Sequence, residues 1–313
     1  MNQPSWVTFC ISTYQRPALL EKQLKCLLDQ SFPDFEVVVS DNDPAGSARE
    51  TTAAFDNKKI KYFHNGENLG MMRSFNRSID RAETDYIVLI TDDDPVEKDF
   101  LLDMYKLYQQ YPGYSVYGGF QRTLTKKNEL EIIKKDQFIA EILDPKKTPD
   151  ILWSSCVIKK QTALEIGKIP DFESPHLADH ALIVMAGSRQ GGVIVNRMYS
   201  ILTQHDKNFS KSNFHYYTAG CKGFYDTMMT FCKKENDFEK NRKVVMRHIG
   251  TWFITNIFNL KRYHTLQKNQ EVVRQVEACA KQIMAFPFMR VFKPAFYAKN
   301  VVFNVKKMLH LLS

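Results

Sequence analysis

The sequence predicts an α/β fold: a mostly parallel sheet flanked by helices, followed by a helical, basic C-terminal extension. Through the first hundred residues short apolar, β-rich runs alternate with helix-period segments, the pattern of a parallel sheet with covering helices. From about residue 214 onward the chain turns aromatic, basic and helix-like. A soft boundary is therefore expected near residue 212.

"WVTFCIS" (6–12) opens the sheet, and "PALLEKQLKCLLDQS" (17–31) follows as a helix. Leu20, Leu24, Leu27 and Leu28 recur at helical spacing, and Pro17 suits a first helical turn. "FEVVVSD" (35–41), "KIKYFHN" (59–65) and "YIVLIT" (86–91) read as further strands, with "MMRSFNRSIDRA" as a helix between the last two. After Pro95, "KDFLLDMYKLYQQY" is amphipathic and helical, while "YSVYGGF", "ILWSSCVIKK" and "GGVIVNRMYSILTQH" read as strands. Residues 121–150 are polar and charged, which predicts a mobile surface excursion.

At 313 residues and 44% hydrophobic composition the chain can bury a sizeable core. Six cysteines are scattered without a CxxC or zinc spacing, which points to reduced, mostly buried thiols and a cytosolic setting. The N-terminus has no basic region followed by an apolar one, and no stretch reaches about 18 uninterrupted apolar residues. Neither secretion nor a membrane span is expected. The net charge of +8 is uneven: residues 221–313 hold 17 Lys and Arg against 6 Asp and Glu, and residues 1–220 hold 26 against 29.

Strand ends at the C-terminal edge of a parallel sheet are where α/β folds bind ligands. "VVVSD" puts Asp41 at such an edge, and "VLITDDD" puts Asp92, Asp93 and Asp94 there. Three adjacent carboxylates repel one another, and a hard divalent ion shared with substrate phosphates normally offsets that repulsion. The structural alternatives are a helix cap at Asp94 and an Asx-type turn at Asp41.

Residues 6 to about 212 resemble the nucleotide-sugar domain of glycosyltransferase family 2, the inverting enzymes of GT-A type. The resemblance rests on "VTFCISTYQRPALLEKQLKCLLDQSFPDFEVVVSDN", "NLG" (68–70), "FNRSI" (75–79) and "DYIVLITDDD", in the family's order and approximate spacing. It implies that Thr13, Tyr14 and Arg16 border the nucleotide, with Gln15 where Asn is commoner. Asp41 would accept from the base, Asn68 and Gly70 would pass near the nucleoside, and Asn76 would belong to the next donor motif. The family's Arg before that Asn is replaced by Phe75, with Arg73 and Arg77 as substitutes. Asp92 would approach the ribose or metal, and Asp93 or Asp94 would coordinate Mn²⁺ or Mg²⁺ on the diphosphate.

In "IPDFESPHLADHALIVMAG" Asp179 best matches the family's catalytic base, without its usual Glu-Asp pair because Ala178 precedes it; Asp171 and Glu173 compete. "QHDKNFS" resembles an HxxNxS ending, making His205 a metal or phosphate partner and giving Asn208 and Ser210 a loop-closing role. Trp153 falls in the acceptor region, as a sugar wall or as a packed core side chain.

The implied protein is a cytoplasmic, metal-dependent inverting glycosyltransferase. It would move a sugar, UDP-linked, to a saccharide or lipid-linked saccharide hydroxyl in surface polysaccharide or glycolipid assembly. Its catalytic domain is expected over 1–212, with 213–313 as a basic region contacting membrane or another subunit. Lys281, Arg290, Lys293, Lys299, Lys306 and Lys307 interleave there with apolar side chains and no acid, as in helices that lie on an anionic membrane surface. Two rival readings are a nucleotidyltransferase, which wants a Gly-rich phosphate loop that "STYQRP" lacks, and a non-catalytic nucleotide- or glycan-binding protein. Nucleic-acid binding is not expected, since no recognisable motif accompanies the basic residues.

Overall fold

The computed structural model describes residues 5–200, 214–235 and 238–311. These form two compact units. The first holds residues up to 171 together with 178–200, and the second holds 172–177 and the described residues from 214 onward. The expected boundary near 212 lies outside the described residues. The assignment of 172–177 to the second unit was not foreseen.

The first unit is built on strands β1 (Val7–Thr13), β2 (Phe35–Asp41), β3 (Ile60–His64), β4 (Tyr86–Thr91), β5 (Val116–Gly119), β6 (Leu130–Ile133), β7 (Cys156–Lys159) and β8 (Gly192–Val195). They form one sheet in the order β3-β2-β1-β4-β7-β5-β8-β6. The β1–β2, β2–β3, β1–β4 and β5–β8 pairs are parallel, and β7 runs antiparallel to both β4 and β5. Strand β6 closes one edge antiparallel to β8.

All seven residues of β1 are buried, as expected of a strand covered on both faces. One face packs Phe9, Ile11, Val37, Val39, Val88 and Ile90 against helices α1 (Pro17–Leu28), through Leu20, Leu24 and Leu27, and, beyond α2 (Arg49–Ala53) and α3 (Met71–Arg81), α4 (Phe100–Gln110), through Phe100 and Met104. The other face is covered by α3, whose Phe75 and Ile79 are fully buried.

Residues 121–150 are not a mobile excursion. They contain β6 and α5 (Lys135–Ile142), and Phe138 and Ile142 are fully buried. After the short α6 (Lys160–Glu165) comes α7 (Ala178–Gln190), and α5 packs on it where Gly187 admits the Phe138 ring; a Cβ at Gly187 would lie 2.1 Å from that ring. Arg122, with 1% of its side chain exposed, pairs with Glu131 at 2.6 Å and Glu141 at 3.0 Å. The polar letters that read as a loop thus include an internal ion network. A buried guanidinium is tolerated only with such partners.

"ILWSSCVIKK" does not form the single strand its letters predict; it is a 3-10 turn at Trp153–Ser155 followed by the four-residue β7.

The second unit consists of α8 (His215–Lys234), α9 (Phe238–Leu266), α10 (Gln270–Ala285), a 3-10 turn at Pro287–Phe292 and α11 (Lys293–Met308). The segment 172–177 lies on α8: Gly223 leaves room for the Phe172 ring and Gly220 for His176, where a Cβ would come within 2.6 and 2.8 Å respectively. His176 stacks on Tyr217 with 4.1 Å between ring centroids, and Ser174 Oγ donates to the Tyr216 carbonyl. Among the described residues no helix is long and apolar enough to cross a membrane. All six cysteines are free thiols, five buried and Cys26 half-buried.

Candidate active site

The parallel register of β1 and β4 sets Ser12 beside Thr91, so the next residues, Thr13 and Asp92, stand side by side at the C-terminal edge of the sheet. Thr13 Oγ1 donates to Asp92 Oδ2 at 2.7 Å. The turn after Thr13 passes through Gln15, whose φ of +54° is left-handed. Asn tolerates that region better than other non-glycine residues, and here Gln15 Nε2 reaches Asp43 Oδ1 at 3.4 Å. The turn delivers Arg16 to the carboxylates: Nη2 lies 2.6 Å from Asp92 Oδ1 and Nη1 lies 2.8 Å from Asp93 Oδ2.

The three aspartates therefore divide. Asp92 and Asp93 converge on one cation, while Asp94, 7% exposed, accepts from Thr91 Oγ1 at 2.8 Å and its carbonyl accepts from Gln23. Burial pushes Asp92 up to about 6, against the opposing pull of the Arg16 charge and the Thr13 hydroxyl. Despite the close approach of Arg16, Asp92 Oδ1 is buried without an aligned hydrogen bond. Arg16 neutralises that oxygen as a counter-charge while leaving it short of an aligned hydrogen bond. Two convergent carboxylates with an under-satisfied oxygen are suited to a hard divalent ion. Among the described residues no group of three or more His, Cys, Asp or Glu is arranged to hold a metal by itself.

Asp41 is fully buried and committed to the protein. Its Oδ1 accepts from the Asp43 N–H, and its Oδ2 accepts from the Ala48 N–H and from the Tyr62 hydroxyl at 2.9 Å. The Asx-turn reading describes this geometry, and any contact with a base would have to share these oxygens. Asn68 Oδ1 accepts from Asn42 and from the Gly70 N–H, and Gly70, at φ +79°, begins α3 with open space around it.

Asn76 is used structurally: its amide exchanges two hydrogen bonds with the Ile169 backbone, at 2.8 and 3.0 Å. Arg73 pairs with Asp171 at 2.7 Å, which takes up one competitor for the base; the other, Glu173, lies in the second unit. Tyr14 is 41% exposed at the turn. Trp153 is 8% exposed and packs on Phe75 with 4.7 Å between centroids, the core reading rather than an open sugar wall.

Asp179 sits in the first turn of α7. Desolvation pushes it up to about 7, although its carboxylate receives the backbone N–H of His180 and its own. The side chain keeps 21% of its surface exposed. Burial, with a smaller contribution from the Asp179 charge, raises the thiol of Cys156, the first residue of β7. Leu177, two residues before, is buried with φ +66°, a conformation that costs a non-glycine residue free energy and persists where packing enforces it. His180 Nε2 is 3.7 Å from Asp179, and desolvation holds this histidine down at about 4, so it is neutral near pH 7. His205, Asn208 and Ser210 lie outside the described residues.

Tyr62, which shares the Asp41 carboxylate, and Arg81, which donates to Ser40 and Asn65 beneath the Asn68 loop, were not singled out from sequence. Their only sequence signals are a central place in β3 for Tyr62 and the last place of α3 for Arg81.

The glycosyl transferase family 2 model matches residues 8–167, half of the chain, and the protein belongs to that family. Over 87 residues, 27% of this chain and 28% of the relative, it is 31% identical to the GalNAc(5)-diNAcBac-PP-undecaprenol beta-1,3-glucosyltransferase of Campylobacter jejuni. Over 100 residues, 30% of each, it is 34% identical to the abequosyltransferase RfbV of Salmonella typhimurium. The matches thus span less than a third of either relative. Among solved structures, S. aureus TarS 1-349 in complex with UDP-GlcNAc matches with a TM-score of 0.54 at 14% identity, covering 88% of this chain and 92% of that one. The mannosyltransferase PcManGT of Pyrobaculum calidifontis, in complex with GDP-Man and Mn²⁺, matches at 0.58 and 14%, covering 98% and 88%. These likenesses establish the GT-A fold.

Proposed function

We propose that the protein is an inverting glycosyltransferase that moves a sugar from a nucleotide-sugar, UDP-linked, to a hydroxyl of a saccharide or lipid-linked saccharide. The observation that carries this reading is the junction of β1 and β4: Thr13 and Arg16 from one strand end meet Asp92 and Asp93 from the other. This arrangement supports a diphosphate site, because it holds both a guanidinium for phosphate oxygens and carboxylates for a divalent ion. Asp92 and Asp93, with Asp94 alongside, would hold Mn²⁺ or Mg²⁺; a bound ion supplies Lewis-acid neutralisation of the departing diphosphate.

The chain's own residues do the rest. Thr13 fixes the Asp92 carboxylate. Arg16 exchanges its carboxylate partners for phosphate as the donor enters. Asp179, held near neutrality, accepts the proton of the acceptor hydroxyl as its oxygen attacks the anomeric carbon from the face opposite the diphosphate. Inversion follows from that direction of attack. The relatives' printed names, a glucosyltransferase with a PP-undecaprenol-linked saccharide and an abequosyltransferase, support surface polysaccharide or glycolipid assembly as the setting.

The test is a donor screen that reads nucleoside diphosphate release from a panel of UDP- and GDP-sugars with and without Mn²⁺. Release from a UDP-sugar that depends on added metal supports the reading. Binding of a nucleotide-sugar without release, with any acceptor, would sink it in favour of a binding protein.

A further inference from the structure

We propose that the outward face of α11 is a docking surface for anionic lipid, on which the helix lies flat. Helix α11 is amphipathic in the sense opposite to that of a surface helix. Its inward side is narrow: Phe303 is buried against Phe258, with 5.9 Å between centroids, and Phe296 lies half-buried at 5.4 Å from the same ring. The opposite side carries Tyr297, Val301, Val302, Val305, Met308 and Leu309, all exposed, with Met308 at 72% and Val301 at 62%. At about 100° per residue these six occupy one continuous sector of the helix. Scattered exposed apolar side chains are ordinary, but a contiguous stripe marks an interaction site.

The cations identify the occupant. On the same wheel Lys306 adjoins one border of the stripe and Lys293 the other, with Lys299 and Lys307 one step further round toward the inward side, Lys299 with its ammonium 5.4 Å from the centre of the Phe258 ring. No acid occurs in the sequence after Glu277. Two rows of lysine bracketing an apolar stripe fit a helix in the plane of an anionic interface: the stripe enters the acyl boundary while the lysine stems extend to phosphates on either side. Beside α11 a cleft of about 410 Å³ is walled by apolar side chains of α9, α10 and α11, with Lys281 and Lys293 among its residues. Lys261 in the same cleft is held by Glu277 at 2.6 Å and by Asn300 at 2.9 Å. The cleft adds a place where one lipid phosphate meets ammonium groups beside an apolar wall. A lipid surface is independent of the transfer chemistry, and its failure leaves the donor site untouched.

The experiment is co-sedimentation of the full chain with vesicles of phosphatidylcholine alone or mixed with phosphatidylglycerol. Binding is expected to the mixed vesicles and to fall as salt is raised. The double variant Val301→Asp/Val305→Asp, at exposed positions, should keep its melting temperature and lose about tenfold or more of its partitioning. The variant Lys299→Glu/Lys306→Glu should lose the preference for phosphatidylglycerol. Equal partitioning of wild type and both variants overturns the proposal. So does a concentration-dependent dimer, seen by sedimentation velocity without vesicles, that the Val→Asp pair dissociates while wild type shows no vesicle binding; that result assigns the face to a second copy.

Discussion

The guanidinium of Arg16 stands between Asp92 and Asp93, at 2.6 and 2.8 Å, and acts as the cation of the carboxylate cluster in the protein without ligand. Removing it leaves Asp92, already up at about 6 through burial, with less to offset its charge. We expect Arg16→Gln to cost about 1–2 kcal/mol of stability without divalent metal, since the guanidinium is itself one-third exposed. Millimolar Mn²⁺ should raise the melting temperature of the variant more than that of wild type. Equal shifts would show that Arg16 and a metal do not compete for the same oxygens.

Asp93 and Asp94 should separate under mutation. Asp93→Ala is expected to weaken Mn²⁺-dependent UDP-sugar binding about tenfold, by calorimetry, with little change in melting temperature. Asp94→Ala strips the buried Thr91 hydroxyl bond and is expected to cost about 1–2 kcal/mol. Unchanged donor affinity in both variants would remove the metal assignment.

Asp179 gives a pH signature in two measurements. As a base it must be ionised, so kcat/KM should rise with pH through about 7 and level above it. Asp179→Asn should cut turnover on the order of 10²–10⁴-fold with donor binding intact. Its folded pKa is raised above the ordinary 3.8, so between about pH 4 and 7 the folded state binds the proton more tightly, and stability falls as pH rises through that window. The Asn variant lacks this loss and should be more stable than wild type at pH 8, on the order of 2–4 kcal/mol. A flat activity profile across pH 6–8 would argue for another base.

Arg122 supports the outer part of the sheet rather than the chemistry. Arg122→Ala leaves Glu131 without a counter-charge and Glu141 with Lys147 alone, and we expect a loss of about 2–3 kcal/mol by denaturant unfolding. A loss under 1 kcal/mol would return residues 121–150 to the status of a surface loop.

Strands β2 and β4 carry the bounds expected from their letters, because each is centred on an apolar run, Val37–Val39 and Ile87–Ile90, with polar turn residues following the strand. Strand β6 and helix α5 were missed for a physical reason. Their partners are distant in sequence: β6 pairs with β8, the Phe138 ring fills the space at Gly187, and Arg122 ties in Glu131 and Glu141, none of which a local periodicity records. The carboxylate edge was legible as chemistry, but its internal division was not: Arg16 and Asp93 are 77 residues apart, and only the β1–β4 register brings them together. Asp41 shows the converse. Its position at a strand end was plain, while the Tyr62 hydroxyl that consumes one of its oxygens depends on β2 pairing with β3.

The packing of 172–177 on α8 has a consequence for synthesis. Phe172 and His176 leave the ribosome before Gly220 and Gly223, and at about 5–20 residues per second that interval is several seconds. For that time an apolar segment waits for a helix not yet made. A chain stopped at residue 200 would keep that segment permanently bare, so dissecting this protein requires two cuts, with a polar bridge in place of 172–177.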